Sequence, residues 1–390
     1  MSEHEGAHGL DEDELAEMEW AERLDEAILG DDDELDLSGY QRDTLPEELG
    51  ELTHLTKLDL SDNNLAELPE WLGNFTSLRE LHLNGNSLTT LPEPLRRLTG
   101  LMELDLSGNG LTALPAWTGE LTSLTHLDLR DNALGELPES LGNLTRLTRL
   151  GLNSNELAEL PATLGNLTSL TALDLSANHL GALPDPLAGL ASLIHLDLGY
   201  NHLTRLPEWI GRLTGLSGLL LPCNRLTSLP DSLGDLPELA WLDLDRNDLT
   251  ALPESLGNLT ALTGLNLGGN RLGALPDALP DSLGGLTALT HLDLAHNDLA
   301  ALPESLGELT ALTGLILRGN RLSALPASLG GLTALDRLYL DDNEFTELPA
   351  CLRGLTALTH LNLDDNDIDE LPAWVDDRVG LFVLHDDPYC

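Results

Sequence analysis

The chain has 390 residues, a length that usually corresponds to two or three domains. It contains 66 acidic and only 19 basic residues, so its formal net charge is −47. A surface with this charge repels nucleic-acid phosphates and anionic lipid headgroups, so we expect neither a nucleic-acid partner nor a membrane partner. Because 42% of the residues are hydrophobic, the chain can nevertheless form a large core.

The three cysteines, Cys223, Cys351 and Cys390, lie far apart and show no paired spacing. This argues against a disulfide framework or a zinc site and predicts a protein of the reducing cytoplasm. The N-terminus lacks the basic and apolar regions of a signal peptide, and no apolar stretch is long enough to span a membrane. The acidity, combined with a single lysine at Lys57, is typical of halophiles that accumulate salt, so we expect a haloarchaeal source.

Residues 1–33 form an acidic N-terminal segment in which we predict a capping helix. A helical periodicity places five apolar residues near one face, namely Leu15, Met18, Ala21, Leu24 and Ile28. We expect this helix to dock over the first strand of the next segment, where it would shield the end of the core from water.

Residues 34–375 are a tandem repeat whose marker is the asparagine of an L-x-L-x-x-N motif. The marker recurs every 23 residues except for one step of 27, and Tyr40 replaces it in the first of about 15 repeats. The marker asparagines are Asn63, Asn86, Asn109, Asn132, Asn155, Asn178, Asn201, Asn224, Asn247, Asn270, Asn297, Asn320, Asn343 and Asn366. The extra residues of the long step lie in LPDALPDSLGG, where we expect an outward bulge.

Every repeat predicts the same local structure. L-x-L is a short strand with its leucines inward, and the marker asparagine can bond backbone groups of neighbouring repeats. A proline six residues after the marker ends the extended segment, and a short helical or 3₁₀ piece follows. Stacked repeats predict an α/β solenoid, a horseshoe with a parallel β-sheet on its concave face and short helical, 3₁₀ or extended segments on its convex face. Residues 376–390 are predicted to be a C-terminal cap or partial repeat, in which Phe382 and Val383 seal the core.

The consensus LxxLxxLxLxxNxLxxLPxxLGxLTxL resembles the 23-residue class of leucine-rich repeats over about residues 30–388. That class includes plant intracellular Ras-group-related repeat proteins, the Scribble and Erbin scaffolds, and disease-resistance-type repeat domains. The resemblance implies the solenoid fold. It implies little about a particular partner, because members of the class bind many unrelated proteins through one scaffold.

No motif for nucleotide binding or catalysis occurs in the sequence, so we expect neither a cofactor nor enzyme activity. Three histidine–aspartate pairs on predicted strands raise the question of a metal: His126/Asp128, His195/Asp197 and His291/Asp293. We expect solvated polar strands there, because side chains on adjacent strand positions lie too far apart for a closed ligand set.

The residue four positions before the marker, between the two strand leucines, is aspartate in eight repeats: Asp36, Asp59, Asp105, Asp128, Asp174, Asp197, Asp243 and Asp293. Neighbouring carboxylates in such a column repel each other. Two interpretations stay open. The column is either a ladder whose repulsion is relieved by bound Na⁺ or K⁺, or an acidic groove for a basic partner segment.

The best candidate for a binding site is the part of the predicted concave face that departs from this aspartate pattern, in repeats 8 to 14. Aromatic residues and arginine dominate the binding energy of protein interfaces, and both types are concentrated there. We therefore predict a partner-binding surface made of Tyr200, Leu220, Pro222, Trp241, Arg225, Arg246, Arg271, Ile316, Arg318, Arg321, Arg337 and Tyr339.

Together these features predict a monomeric, non-catalytic protein–protein interaction module that binds a protein or peptide on its concave face. A signalling scaffold is one form of this function. The arginines of the site would meet acidic groups on the partner. The alternatives are a self-assembling structural array and, least favoured, a metal-dependent enzyme that uses the histidine–aspartate pairs.

Overall fold

The structure is a computed structural model that describes residues 12–30, 32–274 and 278–385. The chain divides after Leu170 into two compact units, each of which is a stack of the same repeat. None of the described helices is both long and apolar enough to cross a membrane.

In the described part of the first unit, helix α1 (Glu12–Leu29) precedes six strands of three residues each. The strands are β1 (Glu34–Asp36), β2 (Lys57–Asp59), β3 (Glu80–His82), β4 (Glu103–Asp105), β5 (His126–Asp128) and β6 (Arg149–Gly151). They pair in parallel and in chain order, with the central leucines opposite each other. A 3₁₀ helix follows each strand: Glu47–Glu51, Glu70–Asn74, Glu93–Arg97, Ala116–Glu120, Glu139–Asn143 and Ala162–Asn166.

The described residues of the second unit form ten strands, which also pair in parallel and in chain order. They are β7 (Ala172–Asp174), β8 (His195–Asp197), β9 (Gly218–Leu220), β10 (Trp241–Asp243), β11 (Gly264–Asn266), β12 (His291–Asp293), β13 (Gly314–Ile316), β14 (Arg337–Tyr339), β15 (His360–Asn362) and β16 (Phe382–Leu384). The 3₁₀ helices of this unit are Asp185–Gly189, Glu208–Arg212, Asp231–Asp235, Glu254–Asn258, Leu272–Ala274, Asp281–Gly285, Glu304–Glu308, Ala327–Gly331 and Ala350–Gly354.

Each unit has two layers, because strands contact strands and 3₁₀ helices contact 3₁₀ helices along the stack. The leucines fill the space between the layers; Leu242 in β10 and Leu244 directly after it are both fully buried. Proline precedes the 3₁₀ helix in extended conformation, as at Pro253 with φ −73°. The predicted strand, turn and 3₁₀ segment are therefore confirmed. We call the solvent-facing side of the strands the strand face.

The marker asparagines connect neighbouring repeats, as predicted. Asn201 donates its amide hydrogens to the carbonyls of Leu175 at 2.9 Å and Leu198 at 3.1 Å, and its Oδ1 accepts the Leu180 N–H at 2.9 Å. The Asn201 side chain is only 3% exposed. Each marker thus satisfies backbone groups that the bend after the strand would otherwise leave buried and unpaired.

The buried face of α1 differs from the predicted one. Trp20, Leu24 and Ala27 are buried, whereas Met18 is 58% exposed and Ile28 is 40% exposed. The Arg42 guanidinium lies 4.4 Å from the centre of the Trp20 ring, so the indole faces the first repeat. Of the five predicted residues only Leu24 faces inward; Ala21 is exposed, and the side chain of Leu15 is outside the described part.

The C-terminal prediction is half correct. Val383 lies opposite Leu361 and is partly buried, which places it in the leucine position of β16. Phe382 is 56% exposed and lies beside His360 with ring centres 6.1 Å apart. It does not seal the core, because alternate residues of a strand point to opposite faces.

The long step of 27 residues leaves the pairing of the strands unchanged, since Gly264 lies opposite His291 as at every other step. The extra residues accompany an additional 3₁₀ helix, Leu272–Ala274. Residues 275–277 of the insertion are outside the described part, so the predicted bulge stays a prediction.

Candidate functional site

Two columns of side chains make up most of the strand face. The first column contains the residue that begins each strand, such as Trp241, and the third column contains the residue that ends it, such as Asp243. Both point away from the core, because the leucine between them points inward. Each strand contributes one residue to each column, so a different residue type in one strand changes the strand face at that strand only.

The aspartates of the third column have a local structural role that the sequence interpretation missed. Asp174 Oδ1 accepts a hydrogen bond from the Ser176 N–H at 2.9 Å and another from the Ser176 hydroxyl at 2.7 Å. The backbone N–H two residues later makes the same bond to all eight: Asp36, Asp59, Asp105, Asp128, Asp174, Asp197, Asp243 and Asp293. The aspartate therefore stabilises the turn after the strand, and the recurring D-x-S pattern was its sequence signal.

This position is electrostatically unfavourable for a carboxylate. Burial raises the pKa of Asp197, the N–H of Gly199 partly offsets that, and the nearby carboxylates of Asp174 and Asp243 raise it further. Burial is also the first cause of the raised pKa of Asp128, Asp243 and Asp293. At these four strands the third column thus holds partly buried carboxylates that nearby carboxylates repel.

Three of the four strands from β11 to β14 end in a residue other than aspartate. Asn266 ends β11, Ile316 ends β13 and Tyr339 ends β14. Ile316 lies between Asp293 and Tyr339 in the sheet, and all three are partly buried. Ile316 and Tyr339 thus form a short apolar strip on two neighbouring strands, beside the carboxylate of Asp293.

A depression of about 490 Å³ lies over this strip on the strand face of β10–β14. Trp241, Ile316, Arg337 and Tyr339, four of the predicted site residues, line it together. The other residues that line it are Leu265, Asn266, His291, Leu292, Asp293, Thr313, Gly314 and Asp336.

Trp241 owes its orientation to a glycine in the next strand. Gly264 lies opposite Trp241 in the sheet, and a Cβ atom on Gly264 would overlap Cε3 and Cζ3 of the indole. The ring therefore lies over the bare backbone of β11, and Trp241 remains 45% exposed. An indole held in this way offers a large, ordered apolar surface to a ligand.

The arginines of the predicted site are mostly paired with aspartates of the same chain. The pairs are Arg246–Asp245 at 3.6 Å, Arg271–Asp248 at 2.6 Å, Arg318–Asp341 at 3.7 Å, Arg321–Asp298 at 2.9 Å and Arg337–Asp336 at 3.6 Å. Pairs this exposed contribute about 1 kcal/mol or less each. The arginines are thus partly neutralised before any partner arrives, and a role in binding acidic groups stays a prediction.

The remaining predicted residues lie outside the depression. Tyr200 is 60% exposed and has a left-handed backbone with φ 53°, in the turn after β8. Pro222 packs over Gly199, whose Cβ would lie 2.9 Å from the proline ring. Leu220 is partly buried at the end of β9, and Arg225 is exposed. The structure therefore does not gather these four with Trp241 in one cavity.

The described residues contain no cluster of three or more His, Cys, Asp or Glu side chains arranged to hold a metal ion. In the His291/Asp293 pair, the His291 Nδ1 lies 2.9 Å from the Thr290 hydroxyl, and Asp293 accepts the Ala295 N–H at 2.8 Å. Cys223 and Cys351 are free thiols, and Cys390 is outside the described part.

Comparison with protein families accounts for the repeat. The family model described as "Leucine-rich repeat region" matches residues 104–183, 138–223 and 275–376. A second model, "Leucine rich repeat", matches residues 214–272, and a third, "Leucine Rich repeats (2 copies)", matches residues 53–97. The chain is a leucine-rich repeat protein. No curated protein matches the sequence.

Solved leucine-rich repeat structures are similar over most of the chain. A leucine-rich repeat protein of Leptospira interrogans is 34% identical with a TM-score of 0.80, over 93% of this chain and 97% of that one. The plant peptide hormone receptor RGFR1 in complex with RGF2 is 28% identical with a TM-score of 0.70, over 91% of this chain and 67% of that one. The Arabidopsis receptor kinase HAESA ectodomain in complex with an IDA peptide hormone ligand is 31% identical with a TM-score of 0.65, over 91% of this chain and 65% of that one.

Within this leucine-rich repeat protein, sequence reasoning missed three features of the depression: His291, Gly264 and Gly314. The signal was present in the first column, where β9, β11 and β13 begin with glycine and β8, β10, β12 and β14 begin with large side chains. A glycine beside a large residue leaves room for that residue to lie flat on the sheet.

Proposed function

We propose that the chain is a non-catalytic binding module that takes up a protein or peptide segment in the depression over β10–β14. The observation that carries the proposal is that Trp241, Ile316 and Tyr339 line one depression, on a strand face where eight strands end in aspartate. Burial of large aromatic anchors in a preformed hollow supplies most of the binding energy in protein interfaces.

The comparisons support the same function in general terms. Two of the similar structures are receptors in complex with peptide hormones, and both match about nine tenths of this chain. We infer that this chain also binds a polypeptide. In a cell such a module would act as a scaffold that brings a partner into a signalling assembly.

Selection from a random peptide library displayed on phage, with the full chain as the target, tests the proposal. We expect peptides to be enriched on the unmodified chain and lost on Trp241→Asp, because a carboxylate in place of the indole removes the central anchor. The matched control is His126→Asp, which adds one carboxylate to the first column of β5, outside the depression. Enrichment of the same peptides on Trp241→Asp would refute this location of the site.

A further inference from the structure

The first column alternates regularly across the depression. β10, β12 and β14 begin with Trp241, His291 and Arg337, and the strands between them begin with Gly264 and Gly314. Indole, imidazole and guanidinium are all planar. Like Trp241 over Gly264, His291 leans over Gly314, whose Cβ would lie 3.3 Å from the imidazole Cδ2. Gly264 and Gly314 thus make room for the rings of Trp241 and His291 on the sheet. Arg337 continues the alternation of planar groups, although His360 rather than glycine lies opposite it in the next strand.

The spacing of these planar groups selects one kind of polypeptide conformation. Neighbouring strands are about 4.8 Å apart, so every second strand is about 9.6 Å away. A polyproline II helix has three residues per turn and a rise of 3.1 Å, so it repeats every ~9.3 Å. An extended strand repeats every ~6.7 Å, and two turns of α-helix span about 10.8 Å. Only polyproline II matches the spacing to within a few tenths of an ångström at each step.

The charges that remain unpaired favour a basic occupant. Arg337 is paired with Asp336, and Arg246 with Asp245. In contrast, no cation of the described residues lies within ion-pair distance of Asp243 or Asp293, which receive only a backbone N–H. Burial raises the pKa of both carboxyls; the nearby carboxylates Asp245 and Asp293 add to the effect at Asp243, whereas His296 and Arg318 offset part of it at Asp293. An arginine or lysine from a ligand would supply the missing positive charge.

We propose that the occupant of the depression is a basic polyproline II segment with proline at every third position. Its prolines stack on the planar groups of Trp241, His291 and Arg337. Its basic side chains pair with Asp293 in the depression and with Asp243, which lies opposite the lining residue Asn266. The proposal rests on the binding function proposed above and specifies the ligand. Four strand steps from β10 to β14 span about 19 Å, enough for roughly six polyproline II residues.

Three synthetic peptides of equal length test the proposal by fluorescence anisotropy against the full chain. The first has proline at every third position and two arginines between the prolines. The second has the same composition with irregular proline spacing, and the third has glutamate in place of arginine. We expect the first peptide to bind on the order of tenfold more tightly than either of the others, the difference that one or two interface anchors make.

A variant of the strand face tests the role of the flat indole. Gly264→Ala displaces the Trp241 ring without removing it, and we expect it to weaken the first peptide about tenfold. The control is Gly181→Ala, because a Cβ at Gly181 meets nothing within 4 Å. Circular dichroism of both variants establishes that they are folded.

Equal affinity for the regular and irregular peptides would overturn the polyproline II conformation, and equal or tighter binding of the glutamate peptide would overturn the basic charge. Failure of all three probes to bind would overturn the proposal as a whole. In each case the peptide-library selection tests separately whether the chain binds peptides at all. Enriched peptides that require Trp241 would preserve that function even if none of them contains regularly spaced proline.

Discussion

At the scale of single residues, an aspartate ends eight of the described strands, and at four of them it combines a favourable bond with an unfavourable charge. Its Oδ1 accepts the backbone N–H two residues later, as Asp197 does from Gly199 at 2.8 Å. Asn266 and Asn362 occupy the same column and accept the same bond, from Gly268 at 3.1 Å and Asp364 at 3.2 Å. The turn therefore needs an acceptor at this position and does not need a negative charge.

Asp197→Asn is expected to stabilise the protein. Burial raises the pKa of the Asp197 carboxyl, so the folded state binds a proton more tightly than the unfolded state does. The carboxylate therefore costs stability as pH rises from the unfolded to the folded pKa, and the full cost persists at neutral pH. We expect the amide to raise the free energy of unfolding at pH 7 by up to about 1 kcal/mol. The gain should vanish below the unfolded pKa of about 4.

Denaturant titrations at pH 7 and at acidic pH measure this difference. Asp197→Ala serves as the control, because it removes both the charge and the acceptor and leaves the Gly199 N–H without its partner. It should be less stable than Asp197→Asn by about 1 kcal/mol. A loss of stability in Asp197→Asn at pH 7 would contradict the unfavourable charge.

At the scale of elements, helix α1 covers the open end of the first unit through Trp20, Leu24 and Ala27. The observed and predicted faces of α1 both carry apolar residues at helical spacing, and they share Leu24. The indole of Trp20 is larger than the side chain of Met18, and it is the one that is buried, with the Arg42 guanidinium 4.4 Å from the ring centre. Met18 therefore remains in solvent. Periodicity alone cannot predict which of two overlapping helix faces is buried, because the buried face is the one that contacts Arg42 of the first repeat.

Trp20→Ala should destabilise the first unit by about 3 kcal/mol, because it opens a cavity between α1 and the first repeat. Met18→Ala should change the free energy of unfolding by less than about 0.5 kcal/mol, since Met18 is 58% exposed. Hydrogen–deuterium exchange of β1 and β2 measures the effect where it arises. Equal exchange in the two variants would show that α1 does not protect the first strands.

The strands, the 3₁₀ helices and the asparagine bonds could be predicted because every repeat gives the same evidence for them. The depression could be predicted only in part. Trp241, Ile316 and Tyr339 were recognised as departures from a column. The contribution of Gly264 was missed, because it depends on how a ring in one repeat lies over the backbone of the next. The asparagine bonds between repeats could be predicted because the same residue recurs in every repeat, whereas the contact of Trp241 with Gly264 occurs at one pair of strands only.

At the scale of the whole molecule, the net charge of −47 is the dominant feature. Only 19 basic residues are available to offset it, and several of them already form ion pairs with aspartates of the same chain. Self-repulsion of this size destabilises a compact chain unless ions screen it. At high ionic strength the charges repel each other only over a short distance, whereas at 0.1 M salt the repulsion extends over about 10 Å.

We therefore expect the fold to loosen as salt is removed. Circular dichroism and thermal unfolding from about 3 M to 0.1 M KCl should show a falling transition temperature, with the steepest loss below roughly 0.5 M. The same titration in KCl and NaCl separates general screening, which treats both alike, from specific cation binding along the aspartate column. An unchanged transition over the whole range would contradict the expectation of a salt-adapted protein.

The central claim is that the strand face of β10–β14 is the binding surface of the molecule. It is tested most directly by the affinity of a library-selected peptide for Trp241→Ala, with His126→Ala as the first-column control outside the depression. We expect Trp241→Ala to lose about 2 kcal/mol or more in binding free energy, and His126→Ala to bind the peptide as the unmodified chain does. Equal affinity for both variants would place the binding surface elsewhere on the chain.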